Sequence, residues 1–175
     1  MKNNDVHIDM ETFELAQRTF QLAREGDADS LRHMLALGLP ANLMNAKGDS
    51  LLMLASYHGH VDAARALLEH GADPALTNDQ GQTPLAGAAF KGDVEIVRLL
   101  LEHGAPVDGR CADGKTALMF AAMFDRVAVM DLLIDHGAQP DLRDRAGQSA
   151  LDYAEAMGAQ HAAAKLAFPS YALAS

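Results

Sequence analysis

Tryptophan is absent from this sequence of 175 residues, cysteine occurs once, and aromatic residues amount to 5% of the total. The single thiol, Cys111, cannot form an intramolecular disulfide, which suits a reducing compartment. No uncharged apolar run approaches the roughly 18 residues of a membrane-spanning helix, and the opening stretch, MKNNDVHIDMETFEL, lacks the apolar segment of a secretory signal. We therefore expect a cytoplasmic protein without a membrane-spanning segment.

Basic residues are in the minority. Lysine and arginine number 14 against 24 aspartate and glutamate residues, which gives a formal net charge of −10, and the acidic residues are spread along the whole chain. A field of this sign repels the phosphates of nucleic acids and of anionic lipids, so we predict neither a nucleic acid nor a membrane as partner. The 49% of apolar residues, rich in alanine and leucine, favours helices and suffices for a packed core.

One pattern recurs at a fixed step of 33 residues. The stretch GQTPLAGAAFKGDVEIVRLLLEHGA occupies 81–105, and looser copies begin at Gly48 and at Gly114. The residues that keep this step include Gly38, Gly71, Gly104 and Gly137, and also Leu52, Leu85, Leu118 and Leu151. A fixed period of this size indicates an array of repeats in which each unit buries its apolar face against its neighbours.

Each unit is predicted to form two helices. In the copy 78–110, Thr83 can cap a first helix that has Pro84 at its first position, and Gly92 ends that helix. A second helix begins near Asp93 and ends before Gly104, which can adopt the left-handed conformation of a helix C-terminus. The polar stretch that follows, APVDGRCADGK, predicts a turn or hairpin.

These residues resemble the ankyrin repeat. The resemblance rests on GQTPL, the alanine pair that follows it, GDV at the mid-repeat turn, VRLLLEHGA and the step of 33 residues, and it covers nearly the whole chain. It implies an all-α solenoid of stacked helix-turn-helix units joined by hairpin loops. It also implies a concave groove lined by the first helices and the hairpin tips.

The resemblance gives the chain its predicted organisation. A repeat domain spans 12–168 and is flanked by an arm, 1–11, and a tail, 169–175. Within the domain we expect an N-terminal capping repeat, three full repeats and a C-terminal capping repeat, at 12–44, 45–77, 78–110, 111–143 and 144–168. We expect the arm to be frayed and the C-terminal segment from Phe168 to fold over the last helices, although it could instead be a docking peptide.

One mid-repeat turn departs from the pattern. Asp125 stands where the other full repeats have Gly59 and Gly92. Aspartate tolerates the left-handed conformation better than most residues do, so we expect the turn to persist at some cost in stability.

The two residues before each mid-repeat turn change from copy to copy. In the ankyrin family this pair lies at the end of the first helix on the concave side. The resemblance therefore places a row of side chains there, which we call the stripe: Tyr57, Phe90, Met123 and Phe124. The other members of these pairs, His58 and Lys91, are predicted to contact the partner beside the stripe. Exposed aromatic and methionine side chains in one row are typical of protein interfaces. The alternative is that some of these rings pack under a neighbouring repeat.

The hairpin tips carry the other variable polar residues. Those predicted to surround the stripe are Lys47, Asp49, Asp79, Gln80, Gln82, Asp113 and Lys115. Arg110 and Arg143 lead into the tips and, with Lys115 and Arg145, would form a basic edge that could attract an acidic patch of a partner. The alternative is a solvated hairpin surface without a function.

Neither a metal site nor an active site is predicted. His70, His103 and His136 recur every 33 residues, but packed helices lie about 8–10 Å apart whereas zinc holds its histidine nitrogens at about 2 Å. A polar residue just before the helix-ending glycine suits the helix C-terminus instead. Cys111 stands where other copies have Asn or Asp, and we interpret it as a tolerated substitution rather than a nucleophile. No nucleotide-binding or metalloprotease motif is present, so we predict no cofactor and no catalytic activity.

The favoured function is a module that binds a protein partner through its concave groove and hairpin tips. The alternative is an inhibitor or immunity-type protein that uses the same groove to block an enzyme, for which the acidity would suit a basic target. We expect a monomer, because both ends of the array carry polar residues such as Gln17, Arg18, Gln148 and Gln160. The short chain resembles bacterial single-domain members of the family.

Overall fold

The computed structural model describes residues 10–168, with side chains from residue 13 onward. The described residues form ten helices in five consecutive pairs: α1 (Met10–Glu25), α2 (Ala28–Ala36), α3 (Leu51–Tyr57), α4 (Val61–Glu69), α5 (Pro84–Lys91), α6 (Val94–Glu102), α7 (Ala117–Met123), α8 (Val127–Asp135), α9 (Ala150–Met157) and α10 (Gln160–Ala167). In this part of the chain the only β pairing is a single bridge between Met44 and Ser50. The predicted all-α repeat fold is confirmed.

The predicted arm and tail fall mostly outside the described residues. Helix α1 begins at Met10, within the range assigned to the arm, while 1–9 and 169–175 are not described. Phe168 ends the described part and is 84% exposed. The expectations for the rest of the arm and for the tail remain predictions.

The helices form two layers. The first helices, α1, α3, α5, α7 and α9, pack in one row, and the second helices, from α2 to α10, pack in another. Small residues make the first row tight, since Ala88, Ala89, Ala121 and Ala122 are all fully buried. Leucines of the second helices fill the space between the layers at the repeat step, namely Leu67, Leu100 and Leu133. One continuous core results, as expected of units that cannot bury their apolar faces alone.

Capping side chains fix where the first helices begin. Ser50, Thr83, Thr116 and Ser149 each accept a hydrogen bond from the backbone N–H three residues further on. These caps satisfy donors that have no partner within the helix. The predicted cap at Thr83 is therefore confirmed, and so is the left-handed glycine that ends each helix of that repeat, with φ of 81° at Gly92 and 85° at Gly104.

Asp125 has a structural reason to replace glycine. Its φ is 55°, in the left-handed region as expected. One carboxylate oxygen accepts a hydrogen bond from the backbone N–H of Ala162 at 2.7 Å, and the other lies 2.7 Å from Nδ1 of His161. Ala159, the residue at the N-cap position of α10, has no side chain that could do this. Asp125 thus caps a helix of the following unit, which offsets the cost of its own backbone conformation.

Adjacent hairpin tips are joined through their backbones. The N–H groups of Asp79, Ala112 and Arg145 each donate to a carbonyl of the preceding tip, at 3.0–3.1 Å. Because these bonds recur at every junction, the tips form one continuous row beside the first helices. This row and the first helices enclose the space described next.

Candidate partner-binding groove

A groove of about 800 Å³ lies between the hairpin tips and the first helices. Helices α3 and α5 supply one wall, through Met53, Leu54, Tyr57, His58, Pro84, Ala86, Gly87 and Phe90. The tips 45–49 and 78–82 supply the other, through Ala46, Lys47, Asp49, Asn78, Asp79, Gln80 and Gln82. Cys111 and Phe120 border it on the side of the next repeat.

Eight of the residues predicted to bind a partner line this groove: Lys47, Asp49, Tyr57, His58, Asp79, Gln80, Gln82 and Phe90. The other seven do not line it. Lys91, Met123 and Phe124 lie along the same helix ends, whereas Arg110, Asp113, Lys115 and Arg143 belong to the tips of the later repeats.

A missing side chain widens the groove at Gly87, one of its lining residues. Leu54, Gly87, Phe120 and Tyr153 occupy equivalent positions of successive repeats, and only Gly87 leaves its place empty. A Cβ added at Gly87 would lie 3.7 Å from Cδ2 of Tyr57, so the tyrosine ring stands over this gap. Sequence reasoning missed both Gly87 and Phe120. The available signal was a glycine inside a helix at a position where the other repeats carry large side chains.

Two separate contacts join side chains at the ends of the first helices, Tyr57 with Lys91 and Phe90 with Phe124. Tyr57 is 44% exposed, and Nζ of Lys91 lies 5.1 Å from the centre of its ring. Phe90 and Phe124 are half-buried and meet edge to face, with their ring centres 4.7 Å apart. Phe124 therefore supports Phe90 from the next repeat, while Phe90 faces the groove.

Two carboxylates border the groove on the tip side. Asp49 accepts hydrogen bonds from the side-chain amides of Asn78, at 2.9 Å, and Asn45, at 3.2 Å. The backbone of Asp79 is fixed by its hydrogen bond to the carbonyl of Lys47, and its own side chain is exposed. The tips thus present charged groups at positions that the backbone holds in place.

The arginines of the later tips bind backbone carbonyls. Nη1 of Arg110 donates to the carbonyls of Gly114, at 3.0 Å, and of Arg143, at 2.9 Å. Arg143 donates in the same way to Gly147, at 2.7 Å, and also pairs with Asp152. Both guanidinium groups therefore stabilise hairpins, and Asp152 offsets the charge of Arg143; the basic edge stays a prediction.

Lys115 belongs to a polar network at the same end of the array. Its ammonium group lies 2.5 Å from Asp113 and 3.9 Å from Asp144, and the hydrogen bond to Asp113 raises the pKa of Lys115. Asp144 is buried, which opposes its ionisation. The hydroxyl of Tyr153, at 2.6 Å, and two backbone N–H groups outweigh this effect and hold the pKa of Asp144 below its usual value.

Cys111 is a buried structural residue. Asn45, Asn78 and Asp144, at equivalent positions, each accept hydrogen bonds from two backbone N–H groups of their hairpin. Burial raises the pKa of the Cys111 thiol, and a hydrogen bond from the backbone of Thr83 offsets only part of that rise. A buried thiol with a raised pKa is a poor nucleophile.

The recurring histidines have a local partner. In His70, His103 and His136, Nδ1 donates to the carbonyl four residues earlier, at 2.8–2.9 Å. Each ring therefore serves the end of its own second helix, as the sequence suggested. Among residues 10–168, no three histidine, cysteine or acidic side chains converge as ligands of a metal ion. Over the same range, no helix has the length and apolar character needed to cross a bilayer.

Comparisons with known proteins agree with this architecture. A family model described as ankyrin repeats in three copies matches residues 19–111, and one described as ankyrin repeats in many copies matches 100–154. An ankyrin repeat protein of Pseudomonas aeruginosa is 60% identical over 53 residues, which are 30% of this chain and 31% of that protein. The chain thus matches about a third of its relative's length. Since the first family model alone covers more than half of the sequence, and the helices stack as such repeats do, the chain belongs to the ankyrin-repeat family.

Proposed function

We propose that this chain is a non-catalytic module that binds a protein partner through the groove and the hairpin tips beside it. Repeat solenoids commonly use their concave surfaces for binding. The observation that carries the proposal is the groove itself, with the half-exposed ring of Tyr57 above the gap at Gly87 and the ring of Phe90 beside it. Aromatic anchors surrounded by polar groups have the composition of a binding hot spot with its rim.

The proposed contacts differ in role. Tyr57, His58, Phe90 and Phe120 would meet the apolar part of the partner. The rim would consist of Lys47, Asp49, Asp79, Gln80 and Gln82. Lys91, Met123 and Phe124 would act mainly by holding the rings of Tyr57 and Phe90 in place. The residues of the later tips would contact only a partner that extends beyond the groove; they are Arg110, Asp113, Lys115 and Arg143.

Removal of the Tyr57 ring tests the proposal. Tyr57→Ala deletes a half-exposed ring, whereas truncation of Phe90 would also break its contact with Phe124 and disturb the stack. Loss of a hot-spot side chain costs about 2 kcal/mol or more, which weakens binding roughly thirtyfold. A suitable control is Leu37→Ala, which removes an apolar side chain that is 75% exposed and lies outside the groove.

The measurement has two steps. Immobilised protein captures partners from an extract of the native host, and mass spectrometry identifies them. Calorimetry with the purified partner then compares the wild type with the two variants. We expect Tyr57→Ala to weaken binding and Leu37→Ala to leave it unchanged. Equal affinities for all three proteins would place the binding site elsewhere.

We further propose that the protein acts as a monomer. The four polar residues on which this expectation rests, Gln17, Arg18, Gln148 and Gln160, are all exposed. Light scattering over a range of concentrations measures the mass directly. Association through the exposed apolar residues near the N-terminal end, such as Phe13 and Leu37, would appear as a mass that rises with concentration.

A further inference from the structure

We infer that the groove binds a basic segment of the partner, with an arginine or lysine side chain lying along Tyr57 above Gly87 and its cationic group near Asp49 and Asp79. This inference rests on the proposed function, because it names the chemistry of the partner at the same site. Three features of the groove support it: the unpaired charge of its tips, the shape of its floor and the ring that faces it.

The acidic residues of the groove have no cationic partner. Asp49 is bonded to neutral amides, and neither Asp49 nor Asp79 forms an ion pair within the described residues. The acidic residues of the later tips differ, since Asp113 and Asp144 lie near Lys115. The carboxylates of the tips beside Phe120 and Tyr153 therefore have a cationic neighbour within the chain. The two carboxylates of the tips beside Gly87 have none.

The balance of charge on the tip side of the groove is negative. There the two carboxylates of Asp49 and Asp79 outnumber Lys47, the only lysine or arginine among the lining residues, while the ammonium group of Lys91 lies outside the lining, beside the Tyr57 ring. The whole chain carries a formal charge of −10, so the long-range field also attracts a basic segment and repels an acidic one. An acidic partner would be repelled both by the carboxylates of the tips and by the net charge of the chain.

The shape of the groove suits a long unbranched side chain. Gly87 opens a gap in a row that Leu54 and Phe120 fill on either side. Arginine and lysine bury an aliphatic stem along apolar surface while their charged groups remain in a polar environment. Here the stem would cross the apolar floor and the charge would reach the tips.

The Tyr57 ring is placed to attract a cation. The ammonium group of Lys91 already lies 5.1 Å from its centre, within the range of a cation–π contact, so a partner side chain that crosses the ring toward Asp49 would replace Lys91 there. A guanidinium group stacks on aromatic faces more readily than an ammonium group does. We therefore expect arginine to be preferred over lysine.

The inference can be tested by selection from a display library of random peptides. Each peptide would have about 12 residues, which span about 40 Å when extended. Peptides enriched on the immobilised protein are synthesised, and their binding is measured by fluorescence anisotropy. We expect enrichment of arginine and lysine. Replacement of the enriched arginine by citrulline, its neutral analogue, should weaken binding by at least about tenfold.

A matched pair of double variants separates local from long-range charge. Asp49→Asn with Asp79→Asn removes the two groove carboxylates, and we expect the same tenfold loss. Asp62→Asn with Asp135→Asn removes two exposed carboxylates of the second helices, outside the groove, and changes the net charge equally. We expect this control pair to bind within about twofold of the wild type, with both proteins melting cooperatively.

Each other outcome overturns the inference. The enriched peptides could lack basic residues, and their binding could be weakened by Tyr57→Ala but not by Asp49→Asn with Asp79→Asn. The proposed function would then stand, with a different partner chemistry. Equal losses in both double variants would show that only the overall field acts. If no peptide is enriched, the groove does not take a basic linear segment, and the calorimetric test with the folded partner then decides separately whether it binds protein at all.

Discussion

Gly87→Ala should stabilise the fold while filling the groove. Gly87 lies inside α5 with an ordinary helical backbone, and alanine is favoured over glycine in a helix by about 0.8–1.0 kcal/mol. The added methyl group would lie 3.7 Å from the Tyr57 ring, an ordinary contact distance, so no strain offsets the gain. We expect the free energy of unfolding to rise by about 1 kcal/mol, and the melting temperature by about 2–4 °C.

The same substitution five residues later, at the C-cap of α5, should have the opposite effect. Gly92 has a φ of 81°, which a residue with a Cβ adopts at a cost of roughly 1–2 kcal/mol. A Cβ there would also lie 2.7 Å from Cδ of Arg126, which would have to move. Gly92→Ala is therefore a control that makes the same chemical change near the end of the same helix and should lower stability by about 1 kcal/mol or more.

Urea denaturation followed by far-ultraviolet circular dichroism measures both variants against the wild type. If Gly87→Ala destabilised the protein, the tyrosine ring would have to pack on Gly87 too closely to admit a methyl group, and the gap would not exist. If it stabilised the protein, partner binding should still weaken, because the methyl group would project into the groove beside the Tyr57 ring. A variant that folds better and binds worse would locate the binding site at this position.

Three further predictions concern stability. Ser56→Ala should raise the free energy of unfolding in urea by about 1 kcal/mol, because the Ser56 hydroxyl is buried without a hydrogen-bond partner among the described residues; a loss would mean that the hydroxyl is bonded. The lowered pKa of Asp144 means that its charged form stabilises the fold above the ordinary carboxyl pKa of about 3.9, and that this contribution is lost as the pH falls below that value and through the lower pKa of the folded state. Asp144→Asn should therefore flatten the acid side of the stability–pH curve, and an unchanged slope would contradict this. Asp125→Ala should speed hydrogen exchange in α10, whereas Asp125→Asn, which keeps an acceptor and tolerates the left-handed turn, should not; equal exchange in both would show that the cap contributes nothing.

The fold was predictable because its determinants are local and repeated. The hydroxyl of Thr83 caps a helix that begins at the next residue, and Gly104 ends a helix that stops two residues before it. Such contacts need no knowledge of distant parts of the chain. The step of 33 residues then indicates which side chains occupy equivalent positions in successive repeats. The order in which the repeats stack follows from this period.

The candidate site was predictable only as a list of variable positions. Which of these residues meet depends on the sizes of side chains in neighbouring repeats. Phe124 belongs to the predicted stripe, yet it supports Phe90 because the two rings meet across a repeat junction. Arg110 was expected to contribute charge to an edge, but a hairpin 33 residues further on places a carbonyl within its reach.

The sequence by itself determined the 33-residue step of the array, the caps of its helices and the positions that vary between copies, because each of these is set by groups a few residues apart or by exact recurrence. Only the tertiary structure decided that the gap at Gly87 opens beneath Tyr57 and that Asp125 caps the helix of another unit. Both depend on contacts between side chains of different repeats, whose distances are fixed only when the layers pack.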